Sequence, residues 1–227
     1  MHAKILRVLP DAMRSSHLGD ALAAFFDATV GSHGYRPLVT GLLSLARTTG
    51  TIRDAIYARK VMMFLSPIDE VDEAARDEFF ETLEADEQQW HRFQVTVFTL
   101  IDKCDDVEKS LIMGRMMKAV LQKDLAFDTA VRICHMINKS YVSDLYCLKE
   151  APVTGIWLTT DQKGALKETY VTSNLQSTGF IRFAGIYGGT LSKDDGCIMY
   201  ETDKLSHILL KYGLSDEINC WNKFWTD

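Results

Sequence analysis

The sequence predicts a mainly α protein: an antiparallel helical bundle over residues 1–150, followed by a small α+β C-terminal module over residues 151–227. Three observations predict it. Through the middle of the chain, up to Leu148, apolar residues recur at steps of three and four, the spacing that gathers them on one face of a helix. Proline occurs only 4 times, as suits long uninterrupted helices. After Pro152 the period changes, and short extended segments marked by glycines replace the helical stripe.

Composition sets the outer bounds. At 227 residues the chain can bury a sizeable core, and 47% hydrophobic against 25% charged residues is globular rather than disordered. The net charge of −6 supplies no general attraction to nucleic acid or to an anionic membrane. Five cysteines, at 104, 134, 147, 197 and 220, are widely spaced without a C-x-x-C pair. They read as reduced thiols rather than a zinc knuckle or a disulfide framework. Lys4, Arg7, Asp11 and Arg14 interrupt the N-terminus before an apolar leader can form, so a cytoplasmic location is expected.

The stretch from Ala28 to Ala46 carries His33, Arg36 and Pro37, with Gly31, Gly34 and Gly41 spread through it. Its uncharged apolar run, Pro37–Ala46, is short of the ~20 residues a spanning helix needs. A buried hairpin of helices is expected there, with conditional membrane insertion as the alternative.

Charge then divides the chain. Residues 1–66 hold eight basic and four acidic side chains, whereas Pro67–Trp90 holds ten acids against the lone Arg76. In that acidic segment Val71, Ala74, Ala75, Phe79, Leu83 and Trp90 fall near helical spacing. Ser66 is expected as its N-cap and Pro67 in its first turn, where a missing N–H costs nothing. The acids read either as a solvated face or as a docking surface for a basic partner, with Glu81, Glu84 and Glu87 as the contact residues. The basic partner could equally be the chain's own N-terminal third.

Trp90, Phe93, Val97, Leu100 and Ile101 form the next stripe. Asp105 at a cap, with Glu108 three residues on, predicts an aspartate version of the capping box. Leu111, Ile112, Met116, Ala119, Val120 and Leu121 then carry a core face. A polar break at Gln122-Lys123-Asp124 leads into one long helix whose stripe is Phe127, Val131, Ile133, Cys134, Ile137, Tyr141, Leu145 and Leu148. Short connections imply antiparallel neighbours.

The tail is read as a short strand or connector over Val153–Leu158, a helix over Gln162–Leu175 stopped by Gly179, and strands around Phe180–Tyr187 and Cys197–Tyr200. A last helix is capped by Thr202 and ends at Tyr212-Gly213. Helix, hairpin, helix is the order of the closing half of a winged-helix unit, so residues 151–227 are expected to be a winged-helix-like domain. Beyond it, Trp221, Phe224 and Trp225 crowd the last seven residues. Large aromatics at a chain end imply a tail that folds back on its own body or one that docks on a partner.

Motifs for catalysis are not found. Gly185-Ile186-Tyr187-Gly188-Gly189 lacks the lysine of a phosphate loop, and no G-x-S-x-G or H-E-x-x-H occurs. Glu84, Glu87 and His91 could be drawn as metal ligands, but such acids on an exposed face are ordinarily solvated charge. Cys134-His135 could be drawn as nucleophile and base, yet adjacent helical residues point ~100° apart. His17, His33 and His207 have no partners at ligand spacing. No catalytic residue, cofactor or metal is therefore expected.

The run Leu175-x-x-x-Gly179-Phe180-Ile181, the glycine-containing hairpin, Tyr200-Glu201-x-x-Lys204-Leu205 and Leu209-Leu210-x-x-Gly213-Leu214 resembles the winged-helix endings of many bacterial and phage proteins. The segment Phe79–Leu148, with Asp105-Asp106-Val107-Glu108-Lys109 opening a helix after a core helix, resembles uncharacterised helical proteins of bacterial genomes and prophages. The resemblance implies a layout and a prophage or bacterial-defence milieu. The sequence departs from a DNA-binding winged helix: its recognition-helix candidate, Lys163–Gln176, sets Lys163 and Lys167 against Glu168, and the wing carries Asp194 and Asp195 with Lys193. The expected function is a non-enzymatic interaction or regulatory protein acting by protein contact, expected as a homo-oligomer. The alternatives are a winged-helix DNA-binding regulator and a membrane-acting effector built on residues 28–46.

Overall fold

The computed structural model describes residues 52–150, 156–160, 165–187 and 197–215. The helical hairpin expected over 28–46, the turn expected at Ser192-Lys193-Asp194-Asp195-Gly196 and the aromatics Trp221, Phe224 and Trp225 lie outside them. From 52 to 150 every regular element is a helix, and three antiparallel strands with short helices follow. The chain divides into two compact units, Met1–Val131 and Arg132–Asp227.

In the first unit, helix α1 (Ile52–Asp69) buries Val61, Phe64, Leu65 and Ile68, a stripe that runs straight past Pro67. This corrects the reading of Ser66 and Pro67 as a helix start. Proline forfeits one backbone bond, but burial on both sides of it carries the helix to Asp69. Helix α2 (Glu73–Glu84) begins after Asp72, whose side chain makes no capping bond.

Helix α3 (Glu87–Lys103) is separate from α2, so the acidic segment Pro67–Trp90 runs through three helices, the end of α1, all of α2 and the start of α3, rather than one. The break has a local cause. Asp86 accepts hydrogen bonds from the amides of Gln88 (2.9 Å) and Gln89 (3.1 Å), and so starts a new helix where the old one could have continued.

Helix α4 (Val107–Leu121) opens on Asp106, whose carboxylate takes the Glu108 amide at 2.8 Å. The cap is thus one residue later than expected, because Asp105 is engaged with Lys109 Nζ at 2.5 Å. All six predicted core residues of α4 are buried, and so are Met113 and Met117. Gly114 meets α1 at close range: a Cβ there would lie 2.1 Å from the Phe64 carbonyl oxygen. The helix ends on Lys123 in the left-handed region (φ 64°), with the Asp124 amide reaching back to the Ala119 carbonyl at 2.9 Å.

The predicted long helix is broken. Helix α5 (Phe127–Lys139), within which the two units divide, stops at Ser140, and helix α6 (Val142–Cys147) restarts after it, followed by a 3₁₀ turn Leu148–Glu150. Ser140 Oγ bonds the Met136 carbonyl at 3.0 Å, the kind of back-bonding that competes with helix continuation. The break turns Tyr141 out to solvent, correcting its assignment to the core stripe.

In the second unit, strand β1 (Ile156–Thr160) precedes helix α7 (Ala165–Thr178). Gly179, at φ 87°, terminates α7: its amide bonds the Gln176 carbonyl (3.1 Å), and the Phe180 amide bonds that of Leu175 (2.9 Å). Leu175 and Phe180 are both fully buried, completing a Schellman stop. Strands β2 (Ile181–Tyr187) and β3 (Cys197–Thr202) form an antiparallel pair, and the sheet order is β1-β3-β2.

Helix α8 (Lys204–Ile208) is capped by Asp203, whose carboxylate takes the Leu205 amide at 3.0 Å. Thr202, expected as the cap, instead ends β3 and meets His207 Nε2 at 3.1 Å. A π-type turn, Leu209–Gly213, closes the described chain. Among the described residues, no helix is long and apolar enough to cross a membrane.

Candidate functional site

The most distinctive charged surface is the outer side of α2. An aromatic cluster anchors that helix. Phe79 and Phe80 sit edge-on to Phe93 at 5.8 and 6.2 Å, Trp90 stacks on Phe93 at 6.1 Å, and Phe127 lies 5.4 Å from Phe93. Such contacts add ~0.5–1.5 kcal/mol each beyond area burial, so the helix is held firmly enough to present its charges in fixed places.

Some of the ten acids are neutralised. Asp69 pairs with Arg76 at 3.6 Å, Glu70 with Lys118 at 2.6 Å and Glu78 with Lys123 at 2.6 Å. Burial pushes the Asp69 carboxyl up from its ordinary range, against the pull of Arg76. Asp86 goes the other way. The amide of Gln89, then that of Gln88, hold its carboxyl below the ordinary range.

Glu73, Asp77 and Glu81 are different. They stand four residues apart, which places them along one stripe of α2, and none has an ion pair among the described residues. Like charges at this spacing repel by a few tenths of a kcal/mol per pair. The stripe is thus an arrangement that folding tolerates and that a cationic ligand would relieve.

Of the three acids singled out from sequence, Glu81 and Glu84 lie on α2, while Glu87 is the exposed first residue of α3. The three therefore do not share one helix. Glu73 and Asp77 belong with Glu81 and were missed, although their four-residue spacing was available in the sequence.

The remaining chemistry is conservative. Cys134 is buried and His135 exposed, so they diverge as helical geometry requires. Burial pushes the Cys104 thiol up, and its Sγ–H donates to the Asp106 carbonyl at 2.8 Å. Among the described residues, no three His, Cys, Asp or Glu side chains form a group that could hold a metal ion.

Comparison with protein-family models, curated proteins and solved structures returns no match to this chain.

Proposed function

We propose that this chain is a non-enzymatic interaction protein that acts by protein–protein contact, with the stripe Glu73-Asp77-Glu81 receiving a basic partner surface. The observation that carries this reading is the contrast along one short segment. Asp69, Glu70 and Glu78 each have a basic partner, whereas the stripe beside them has none among the described residues. An acidic face steers a basic partner and raises its association rate more than its intrinsic affinity. The prophage or bacterial-defence setting implied by the sequence resemblance fits a protein that works by binding.

For the second unit we propose a winged-helix-like module serving contact or dimerisation. Its support is the antiparallel order β1-β3-β2, with α7 placed between β1 and β2 and a hairpin after it. Duplex binding would need a basic surface. The exposed Arg182 is instead paired with Glu201 at 2.6 Å.

The test neutralises the stripe as Glu73→Gln, Asp77→Asn and Glu81→Gln, and compares affinity capture from the native host by mass spectrometry. Partners retained by the wild type at low salt should be lost with the triple variant and at high salt. Equal capture by both would assign the stripe to solubility. Salt-sensitive binding of labelled duplex DNA by the purified chain would favour the DNA-binding regulator instead.

A further inference from the structure

The sheet of the second unit has one apolar face that is buried at the Ile181 end and exposed beyond it. Ile181, Phe183 and Ile186 on β2 stand opposite Thr202, Tyr200 and Ile198 on β3, which alternate along one face of that strand. The bulge between Phe183 and Gly185 inserts Ala184, and this extra residue keeps Ile186 on the same face as Phe183. The opposite face carries the Arg182–Glu201 ion pair, as a solvent side does.

Exposure rises sharply along the apolar face. Ile181 is 2% exposed, but Phe183 is 54%, Ile198 39% and Ile186 69%. The pattern is that of a core-facing side extending beyond its cover. Contiguous apolar patches of this kind mark a surface that something else occupies.

We propose that the occupant is this chain's own C-terminal segment, residues 216–227, packing Trp221 and Trp225 against Phe183, Ile186 and Ile198. Three features favour it over any other occupant. First, the described chain stops beside the sheet. The Asp203 amide (3.0 Å) and Ser206 Oγ both bond the Phe180 carbonyl, tying α8 to the root of β2. Leu214, one residue before the end of the described chain, is buried and bonded to Leu209.

Second, the length suffices. Residues 216–227 span ~40 Å extended or ~18 Å as helix. The seven-residue strand β2 is ~23 Å long. Third, the spacing fits. Ile218, Trp221 and Trp225 follow steps of three and four, a sequence spacing that gathers apolar side chains on one side. Each large aromatic buries 150–250 Å² in ordinary cores, so two match the scale of a patch of a few hundred Å² (roughly).

The experiment places a benzophenone-bearing phenylalanine at position 186 of the full chain, irradiates it, and maps the product by mass spectrometry. The side chain at 186 is mostly exposed, so the replacement leaves the fold intact. The expected product has the mass of one chain and joins position 186 to a peptide within 216–227. The same capture should be lost with Trp221→Ala and Trp225→Ala together. A product of twice the mass would overturn the proposal in favour of a second copy on this face. Attachment to any other part of the chain, or no attachment at all, would overturn it as well. The unsubstituted tail decides the matter by itself should the double variant fold poorly.

Discussion

Helices α2 and α4 lie in the same unit, yet they are opposite kinds of helix. Eleven residues of α4 are buried, on every side of it, including Lys109 and Ser110. In α2 Phe80 stands as the one buried hydrophobic residue, and the surface is acid. A helix apolar all round is a core element, and one with a narrow anchor is a skin element. The difference teaches where mutation will act on stability and where it will act on binding.

The largest effect should come from the axis. In Gly114→Val the new Cβ would meet the Phe64 carbonyl oxygen at 2.1 Å, and that oxygen belongs to backbone rather than to a side chain that could rotate away. Relief requires α1 and α4 to part, which opens the core between them. We expect a loss beyond ~4 kcal/mol, in the exceptional range for single substitutions, seen as failure to fold or a collapse of the thermal transition. A variant that melts within a few degrees of wild type would show that the two helices have room to spare.

Phe80→Ala comes next. It removes the one fully anchored ring of α2, which packs at 5.6 Å on Phe79 and 6.1 Å on Trp90. A loss of ~3 kcal/mol is expected for truncating a buried phenylalanine, with α2 detaching first and faster amide exchange over residues 73–84. Uniform exchange across the unit would mean that α2 is not a separable skin.

This contrast also explains what could be read from sequence. The core face of α4 was legible because its apolar residues repeat at helical steps, and the glycine stop of α7 because Gly179 occupies the left-handed position only glycine takes easily. Boundaries were less legible. Pro67 looked like a start because local propensity says so, while the deciding term was burial of Ile68 beyond it. Asp105 and Thr202 each gave way to a neighbouring aspartate, since adjacent capping residues compete, and their own side chains meet Lys109 and His207 one turn further on.

The candidate site was half legible for the same reason. That α2 is acidic is a matter of counting. Which acids are neutralised depends on Lys118 and Lys123, some 45–48 positions away in sequence, which no local pattern could assign. The apolar face of the sheet was hidden in a different way, because only the bulge at Ala184 puts Phe183 and Ile186 on one side.

The smallest effect concerns the junction between α2 and the helix after it. Asp86 is solvent-exposed, and its carboxyl is lowered first by the Gln89 amide and then by that of Gln88. Asparagine caps a helix about as well as aspartate, so Asp86→Asn keeps the break and removes the charge. The folded-state carboxyl titrates below its unfolded value. Its contribution is therefore fully present above the unfolded pKa and is lost as pH falls through the folded one. Wild type should be slightly more stable than Asp86→Asn at neutral pH, with the gap closing through the acidic carboxylate range. High salt should shrink the gap too, because the charge acts on an exposed helix N-terminus. Thermal melts of both proteins across pH measure this directly, and a gap that does not vary with pH would show that the cap works through its hydrogen bonds alone.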